Sequence, residues 1–545
     1  MGLGRRTVLK AGTLLALPGT LARADSAPPK PVADSSFTPP PFGVLVLSRL
    51  GFGPVGGDLA AFNALGPDDH TRLERWLAAQ LTPQTLDDHA CEARLKGLDS
   101  LGRPLADLWK KYYRGAPEGD RKYEVIWQPT REARLAAFTR MVYSRRQLQE
   151  VLTGFWRDHF NVHPDKDERI PALLPHYDQT LRQFALGNFR TLLGEVAHHP
   201  AMLYYLDNAS STRAGPNENY ARELFELHTL GAGHYRGVSR QSTVPLLTGP
   251  GYAAGQPLGY VDDDVYEATR VLTGWRVADD KDSPRGDGGG FVFDPQAHDR
   301  FQKTVLGQYF APNGGAEEGE RLLDLLAAHP GTALHLADKL ARRLIADDPP
   351  DDLVRGAAQV FTAARKAPDQ IGQVVAYLAR SDAFARSWGQ KFRRPLEGTT
   401  AALRALGTDL RAAPDKLWQL EWMGQALYDW RPPDGAPDLR AAWSGSAHLL
   451  RRWTLARAVT GNWWEEMHSD LGAATPPTLR MPLELCDHWA LRVLGCPLPA
   501  QSRLVVAREL AGQGDLKTPL SADQLKDRLP NAVAFILMTP EFLLA

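Results

Sequence analysis

Residues 172–198 read ALLPHYDQTLRQFALGNFRTLLGEVAH, and this stretch sets the fold class. Its apolar side chains recur at intervals of three and four residues, which is the period of an amphipathic α-helix. The same period predicts helices over residues 131–160, 217–230, 318–344, 353–364, 370–379, 395–406 and 483–494. Strand-like alternation is rare, and the clearest case is GFVF at residues 290–293. We therefore expect a mostly α, multi-helical protein with a few short strands or hairpins in its loops.

Glycine- and proline-rich stretches separate these predicted helices. They are a long loop over residues 231–259, a charged, glycine-rich segment over residues 279–290, and the rigid connector WRPPDGAP over residues 430–437. We predict three regions after the N-terminal segment: an N-terminal helical region (42–275), a glycine-rich loop region with short strands (276–310) and a C-terminal helical region (311–545).

Residues 1–24 have the pattern of a bacterial export signal. Arg5 and Arg6 stand before a weakly apolar run over residues 11–21, and Ala22-Arg23-Ala24 is a small-x-small cleavage pattern. The apolar run is shorter than the roughly 20 residues needed to cross a bilayer. We predict a twin-arginine signal peptide, a proline-rich tether over residues 25–41, and a mature protein that is periplasmic or secreted.

Charge and cysteine content exclude several classes of function. The chain carries 63 Lys and Arg against 64 Asp and Glu, and the predicted signal holds four of the basic side chains and no acidic one. A slightly acidic mature chain predicts no nucleic-acid partner, and it has no apolar run that predicts a transmembrane segment. No CxxC pair occurs, and the predicted helix over residues 483–494 separates Cys486 from Cys496 too far for a disulfide unless the chain turns back at Gly495. We expect these two and Cys91 to be free thiols.

Three polar motifs carry histidines, and two of them are short. The motif FWRDHFNVH, residues 155–163, places His159 and His163 four residues apart, a spacing at which two imidazoles can converge on a metal ion. The motif FDPQAHDRFQKT, residues 293–304, brings His298 and Lys303 into one short loop. Either motif can also be structural, as a helix end or a self-capping turn.

A third polar motif is NENYARELFELHTLG, residues 217–231. The helical period places Asn219, Arg222, Glu223 and Glu226 on one face and His228 on another. Two interpretations stay open. One is a solvated face with an Arg222–Glu226 ion pair that contributes a few tenths of a kcal/mol. The other is a buried polar stripe, in which paired carboxylates raise one pKa and supply an acid–base pair or ligands for a hard metal ion.

Tryptophans are concentrated in the C-terminal half. Seven of the 14 lie close together in the sequence: Trp418, Trp422, Trp430, Trp443, Trp453, Trp463 and Trp464. Such rings fill helical cores, and they also bind sugar rings and hydrophobic surfaces. A glycan ligand is therefore one interpretation of this region.

Nine ordered sequence blocks carry a family resemblance. They are LSRLGFGP (47–54), FW…HFNV (155–162), NENYARE…ELHTLG (217–231), LTGW (272–275), FD…HD…KT (293–304), AHP…KLA (328–341), RPLE (394–397), MGQ (423–425) and PPDG (432–435). Together they resemble the bacterial family known as domain of unknown function 1800. The resemblance implies a mostly helical, secreted protein, often encoded beside another exported protein that is a plausible partner. His163 is outside the family pattern, and residues 239–259 look like an inserted loop.

Two hypotheses for the function follow. The first is an exported enzyme with a buried polar site and hydrolytic or metal-dependent chemistry on a cell-envelope substrate. Its candidate catalytic residues are His159, Asn219, Arg222, Glu223, Glu226, His228, His298 and Lys303. If the cofactor is a metal ion, the candidate ligands are His159, Glu223, Glu226 and His228. The second hypothesis is a non-enzymatic binding or assembly factor of the envelope that recognises glycan or a partner protein.

Overall fold

The computed structural model describes residues 39–247 and 255–545. The predicted twin-arginine signal and residues 25–38 of the predicted tether lie outside the described residues. The described residues belong to one compact unit. The three-region division of the chain stays a prediction.

Twenty-five α-helices dominate the described residues, which confirms the predicted fold class. Those of the N-terminal half are α1 (Phe42–Arg49), α2 (Asp58–Asn63), α3 (Asp69–Gln80), α4 (His89–Arg94), α5 (Leu105–Leu108), α6 (Arg121–Tyr143), α7 (Gln147–His159), α8 (Ile170–Phe184), α9 (Phe189–His198), α10 (Pro200–Tyr205), α11 (Asn219–Glu223) and α12 (Asp262–Leu272). Those that follow are α13 (Ala316–Ala327), α14 (Pro330–Leu344), α15 (Asp351–Ala363), α16 (Gln370–Ala379), α17 (Asp382–Ala385), α18 (Pro395–Leu406), α19 (Trp418–Trp422), α20 (Arg440–Trp443), α21 (Ser446–Thr460), α22 (Pro482–Leu494), α23 (Ala500–Ala511), α24 (Ala522–Leu537) and α25 (Pro540–Leu543).

The strands described are short and pair as antiparallel ribbons. They are β1 (Trp275–Val277) with β2 (Phe291–Phe293), β3 (Lys303–Val305) with β4 (Gln308–Phe310), and β5 (Asp409–Leu410) with β6 (Met467–His468). Strands β2, β3 and β4 lie within residues 276–310, where short strands were predicted, and β1 begins one residue earlier. The third ribbon, β5 with β6, lies in the region predicted to be helical. Single 3₁₀ turns occupy Pro83–Thr85, Pro164–Lys166, Asn208–Ser210, Ala232–His234 and Gln241–Thr243, and π-helical turns occupy Trp109–Arg114 and Leu224–His228.

Three predicted helices are each divided into two. The stretch quoted first breaks where Asn188 caps α9 by accepting a hydrogen bond from the Thr191 amide. The helix predicted over residues 318–344 breaks at His329, which caps α14 ahead of Pro330. The helix predicted over residues 131–160 breaks at Ser144, whose hydroxyl donates to a buried aspartate from another part of the chain. Periodicity continues across such breaks because the apolar faces on both sides point to one core.

A buried aromatic cluster lies at the junction of α7, α8 and α9. Trp156 and Phe160 are completely buried, stack at 5.8 Å between ring centroids, and pack on Phe189. The Trp156 Nε1–H donates to the carbonyl of Ala185 at 2.9 Å, which satisfies the one polar atom of this ring. Helix α7 therefore lies deep in the protein, and its polar side chains are buried with it.

The cysteines and the apolar helices are the next features predicted from composition. The three cysteines, Cys91, Cys486 and Cys496, are buried and free, as expected. In the part of the chain that the structure describes, no helix has both the length and the apolarity needed to cross a membrane.

Candidate active site

His159 is the last residue of α7, with 1% of its surface exposed. Its Nε2 lies 3.2 Å from the carbonyl oxygen of His228, and its Nδ1 lies 2.9 Å from the Nζ of Lys339. Because a carbonyl oxygen only accepts hydrogen bonds, this network assigns the ring proton to Nε2 and leaves Nδ1 to accept from Lys339. Burial, followed by the charge of Lys339, holds the pKa of His159 well below its ordinary value, so the ring is neutral at pH 7.

Lys339 lies on the inward side of α14, one turn from the buried residues Leu336 and Arg343. Among the described residues, its only hydrogen-bond partner is His159 Nδ1, and no carboxylate forms an ion pair with it. Burial lowers the pKa of Lys339 to about 8, although Asp158 and three other aspartates oppose the shift. Roughly one molecule in ten therefore carries a neutral amine here at pH 7.

A cavity of about 300 Å³ opens beside this pair, between α7, α14 and the connector at residues 430–437; we call it the α7–α14 cavity. Its charged lining consists of Lys339, Arg342, Arg343 and Arg394 with Asp158, Asp338, Asp434 and Asp438. Phe155, Pro437 and Leu439 supply apolar wall. The volume suits a small organic molecule.

The connector is held beside the C-terminal end of α7 by hydrogen bonds that the connector's backbone carbonyls accept. Asn161 Nδ2 donates to the carbonyls of Trp430 and Pro432, both at 2.7 Å, and the Tyr205 hydroxyl donates to the carbonyl of Arg431 at 2.7 Å. Gly435 has a φ of 75°, and a Cβ there would lie 1.9 Å from the Asp158 carbonyl oxygen. Only glycine permits this approach, which places the connector at the cavity wall.

His228 lies behind His159 in the π-helical turn that follows α11. It is 1% exposed, and neither of its ring nitrogens has a hydrogen-bond partner among the described residues. Burial, then the charges of Lys339 and His335, lowers the pKa of His228 to about 3. An unpartnered buried imidazole costs free energy that the fold does not recover, and π-helical turns occur frequently at functional sites.

Glu223 and Glu226 form a partly exposed carboxylate pair on the α11 segment. Neither makes a hydrogen bond or ion pair among the described residues. Burial, then the charge of Glu226 and a smaller contribution from Asp434, raises the pKa of Glu223 to about 7 against the opposing effect of Arg222. The Arg222 guanidinium lies 3.4 Å from Glu218 and 3.5 Å from Asp262, so the Arg222–Glu226 pair of the solvated-face interpretation does not form.

The remaining member of this polar face is Asn219. It is partly exposed, and its Nδ2 lies 3.4 Å from a carboxylate oxygen of Asp207, which also pairs with Lys166 at 2.9 Å. Asn219 therefore belongs to a polar cluster at the start of α11, and no contact in the described residues joins it to His159.

The raised pKa of Glu223 predicts a pH-dependent stability. Because its folded pKa exceeds its ordinary value, protonation of Glu223 stabilises the fold below about pH 4.5, and this contribution is lost as the pH rises through about 7. We expect Glu223→Gln to raise the free energy of unfolding, relative to wild type, by about 1–2 kcal/mol more at pH 8 than at pH 5, a range reduced for partial exposure. Urea denaturation at both pH values measures this difference.

The exposed Glu118 provides a matched control for that measurement. Glu118→Gln should leave the pH dependence of stability as in wild type. A Glu223→Gln variant whose difference from wild type is the same at both pH values would contradict the raised pKa.

His298 and Lys303 form a separate buried cluster with Glu318. The Lys303 ammonium donates to Glu318 at 2.6 Å and to the carbonyls of Asp299 and Phe301 at 2.7 and 2.9 Å. His298 Nε2 lies 3.4 Å from the same carboxylate. Burial alone would raise the pKa of Glu318, but hydrogen bonds from His298 and Lys303 outweigh it and hold the pKa below its ordinary value.

This cluster and the His159 pair are two places rather than one. No contact in the described residues joins His298 or Lys303 to His159 or Glu223. The Lys303 ammonium donates its three hydrogen bonds to two carbonyls of its own loop and to Glu318 on α13. The structure thus brings together His159 and His228 with Lys339. It leaves Asn219, Arg222 and the two glutamates on the neighbouring helix face.

The proposed metal ligands do not assemble. In residues 39–247 and 255–545, no group of three or more His, Cys, Asp or Glu side chains could hold a metal ion. His163 lies beyond the end of α7, where its Nδ1 accepts from the Asp165 amide, so it does not converge with His159. The residues present therefore do not fit a resident metal ion at this site.

Sequence reasoning did not select Lys339, His335 or Asp434 as site residues, although Lys339 and Asp434 lie in two of the nine blocks. One signal was available for Lys339. It lies at the edge of the apolar side of the amphipathic α14, one turn from Leu336, where a long charged side chain can reach a cavity. No such signal marks Asp434, because only the folded connector brings it to the cavity.

Comparison with known proteins identifies the family of the chain. The family described as Protein of unknown function (DUF1800) matches residues 45–544 of the 545-residue chain. No curated protein and no solved structure matches the chain. Three of the family-like blocks supply His159, Lys339 and Asp434 to one cavity. The resemblance seen in the nine blocks is thus confirmed over nearly the whole chain, which belongs to the DUF1800 family of proteins of unknown function.

Proposed function

We propose that this protein is an exported enzyme that acts on a cell-envelope substrate, with Lys339 as the general base of the α7–α14 cavity and His159 as the residue that positions it. The pattern of residues 1–24 supports a twin-arginine signal and a periplasmic or secreted location. Another exported protein encoded alongside is a plausible partner.

One observation carries the proposal. The Lys339 Nζ is 2.9 Å from His159 Nδ1 at the wall of a cavity of about 300 Å³, with no ion-pair partner among the described residues. A structural lysine in a protein interior is normally paired with a carboxylate, as Lys303 is with Glu318. An amine without that partner loses its proton more readily, which suits it to general-base chemistry near neutral pH.

Each residue has a distinct role. The Lys339 amine takes a proton from a substrate or from water held in the cavity. His159, with its proton fixed on Nε2 by the His228 carbonyl, accepts a hydrogen bond from the amine and orients it. Hydrolysis is the reaction class this arrangement serves most directly, since a base beside water is its central requirement.

Activity on envelope material tests the proposal. Purified protein incubated with cell-envelope fractions should release products detectable by liquid chromatography and mass spectrometry. We expect Lys339→Met to reduce the rate about 100-fold, the scale of a lost general base, and His159→Gln to reduce it about tenfold.

Lys366 is the matched control, because its side chain is exposed and away from the cavity. Lys366→Met should retain wild-type activity, and circular dichroism should show that all variants keep their helix content. Failure of the wild type to release any product, or equal rates in wild type and Lys339→Met, would overturn the proposed function.

A second candidate function rests on exposed tryptophans. Trp418, Trp453 and Trp463 have 47%, 43% and 54% of their surfaces exposed, whereas Trp443 is buried in the core. Exposed rings of this kind favour a glycan- or protein-binding surface on the C-terminal half. Isothermal titration with soluble peptidoglycan fragments, compared between wild type and Trp463→Ala, tests this alternative.

A further inference from the structure

Lys339 combines three properties that seldom occur together. Its side chain lines the α7–α14 cavity, its only hydrogen-bond partner among the described residues is a neutral imidazole, and it has no counter-ion there. The His159 Nδ1 can only accept, so it stabilises a neutral amine as well as an ammonium. These properties fit a nucleophile as well as a base.

We propose that Lys339 condenses with the carbonyl group of a small, uncharged aldehyde or ketone in the α7–α14 cavity and forms an imine. The inference uses the cavity of the proposed function and goes beyond hydrolysis by adding a covalent step. It concerns the bond formed at Nζ, whereas the proposed function concerns turnover of an envelope substrate.

The step requires no oxidant or reductant. The Nζ lone pair forms a bond to the carbonyl carbon, while the carbonyl π electrons move to oxygen, which takes up a proton as the nitrogen loses one. The resulting carbinolamine then loses its hydroxyl as water, with a second proton supplied to the leaving oxygen, and the nitrogen lone pair forms the C=N bond. The nitrogen then releases its remaining proton, which replaces the one supplied to the leaving oxygen and leaves the neutral imine. One amine and one carbonyl thus give one imine and one water.

The cavity lining argues for an uncharged carbonyl compound. With Lys339 neutral, three cationic side chains face four aspartates, so the wall does not attract a free anion strongly. Arg342 is bonded to Asp338 at 2.9 Å and Arg394 to Asp158 at 2.6 Å, which leaves neither guanidinium free of a carboxylate. Phe155 and Leu439 provide contact area for a short carbon chain.

Selective labelling tests the imine. The full-length protein is incubated at pH 7 with propanal and sodium cyanoborohydride, which reduces an imine to a stable secondary amine, and propylated lysines are then located by peptide mass spectrometry. Because a pKa of about 8 leaves far more neutral amine at pH 7 than an ordinary lysine has, we expect Lys339 to be labelled at least roughly tenfold faster than exposed lysines.

The exposed Lys96 and Lys366 serve as internal references in the same digest. The measurement is made on wild type, so it does not depend on a variant that folds. Labelling of Lys339 at or below the rate of these two lysines overturns the inference. Faster labelling that is lost when the protein is first unfolded in guanidinium, where all lysines become equivalent, supports it.

The two proposals fail separately. If Lys339→Met abolishes turnover of envelope material but wild-type Lys339 is not labelled selectively, the proposed function stands and the imine is wrong. If Lys339 is labelled selectively but envelope material is not turned over, the imine stands and the proposed function is wrong.

Discussion

Replacing Lys303 with methionine is expected to lower the free energy of unfolding by about 3–5 kcal/mol, the scale for breaking a buried ion pair from one side. Lys303 is 1% exposed and Glu318 is 4% exposed. Methionine would fill much of the space but would leave the Glu318 carboxylate without its cation. It would also leave the carbonyls of Asp299 and Phe301 without their donor.

Guanidinium denaturation followed by tryptophan fluorescence measures this loss. Lys110, which is exposed, offers the control variant Lys110→Met, with an expected change within about 0.5 kcal/mol. The double variant Lys303→Met/Glu318→Gln should be less destabilised than the sum of the two single variants, because it removes both charges. A loss below 1 kcal/mol in Lys303→Met would show that the pair does not hold this loop.

Asp178→Asn is expected to lower the free energy of unfolding by a similar amount, about 3–5 kcal/mol. Asp178 accepts from Arg157 at 2.7 Å and from the Tyr428 hydroxyl at 2.5 Å, deep in the core beneath α7. Its pKa would be raised by burial, but the charges of Arg157 and Arg140 outweigh this and hold it below the ordinary value. Without the carboxylate, the nearly buried Arg157 guanidinium has no counter-ion.

The same substitution should disturb the cavity, since Tyr428 stands two residues before the connector and has a φ of 56° that its hydroxyl contact helps to maintain. Hydrogen exchange of the connector amides measures this second effect. Asp382→Asn is the control, because the Asp382–Arg386 pair is exposed and joins charges at 3.6 Å. Unchanged exchange at the connector in Asp178→Asn would show that the core network does not support the cavity wall.

Only some of the residues that line the cavity could be predicted from the sequence. His159 could be predicted as a site residue, because a histidine in an otherwise apolar helix is often functional. Lys339 and Asp434 come from segments about 95 residues apart, and each is unremarkable by itself: one is a lysine in a helix and the other an aspartate in a turn. Their common position beside His159 depends on how α7, α14 and the connector pack, and no local pattern encodes that packing.

A similar limit separates the two histidine clusters. The motif around His298 and the motif around His159 both combine a histidine with a basic or acidic neighbour, which made one shared site a reasonable expectation. In the cluster around His298, the Lys303 ammonium donates hydrogen bonds to two loop carbonyls and to the Glu318 carboxylate, so it has no donor left for a ligand. The cluster around His159 keeps an amine without a counter-ion. Satisfaction of hydrogen bonds distinguishes them, and it is a property of three-dimensional neighbours.

The sequence by itself determined the helical fold class, the short strand near residues 290–293, the free cysteines and the family, because these follow from local periodicity, turn residues and ordered motifs. The helix breaks at Asn188 and His329 also have local causes, since both side chains cap the next helix, although the apolar periodicity did not reveal these breaks. Only the tertiary structure decided which polar side chains are buried together. The physical reason is that the pKa of Lys339, the tautomer of His159 and the cavity between them depend on desolvation and on partners far away in the chain.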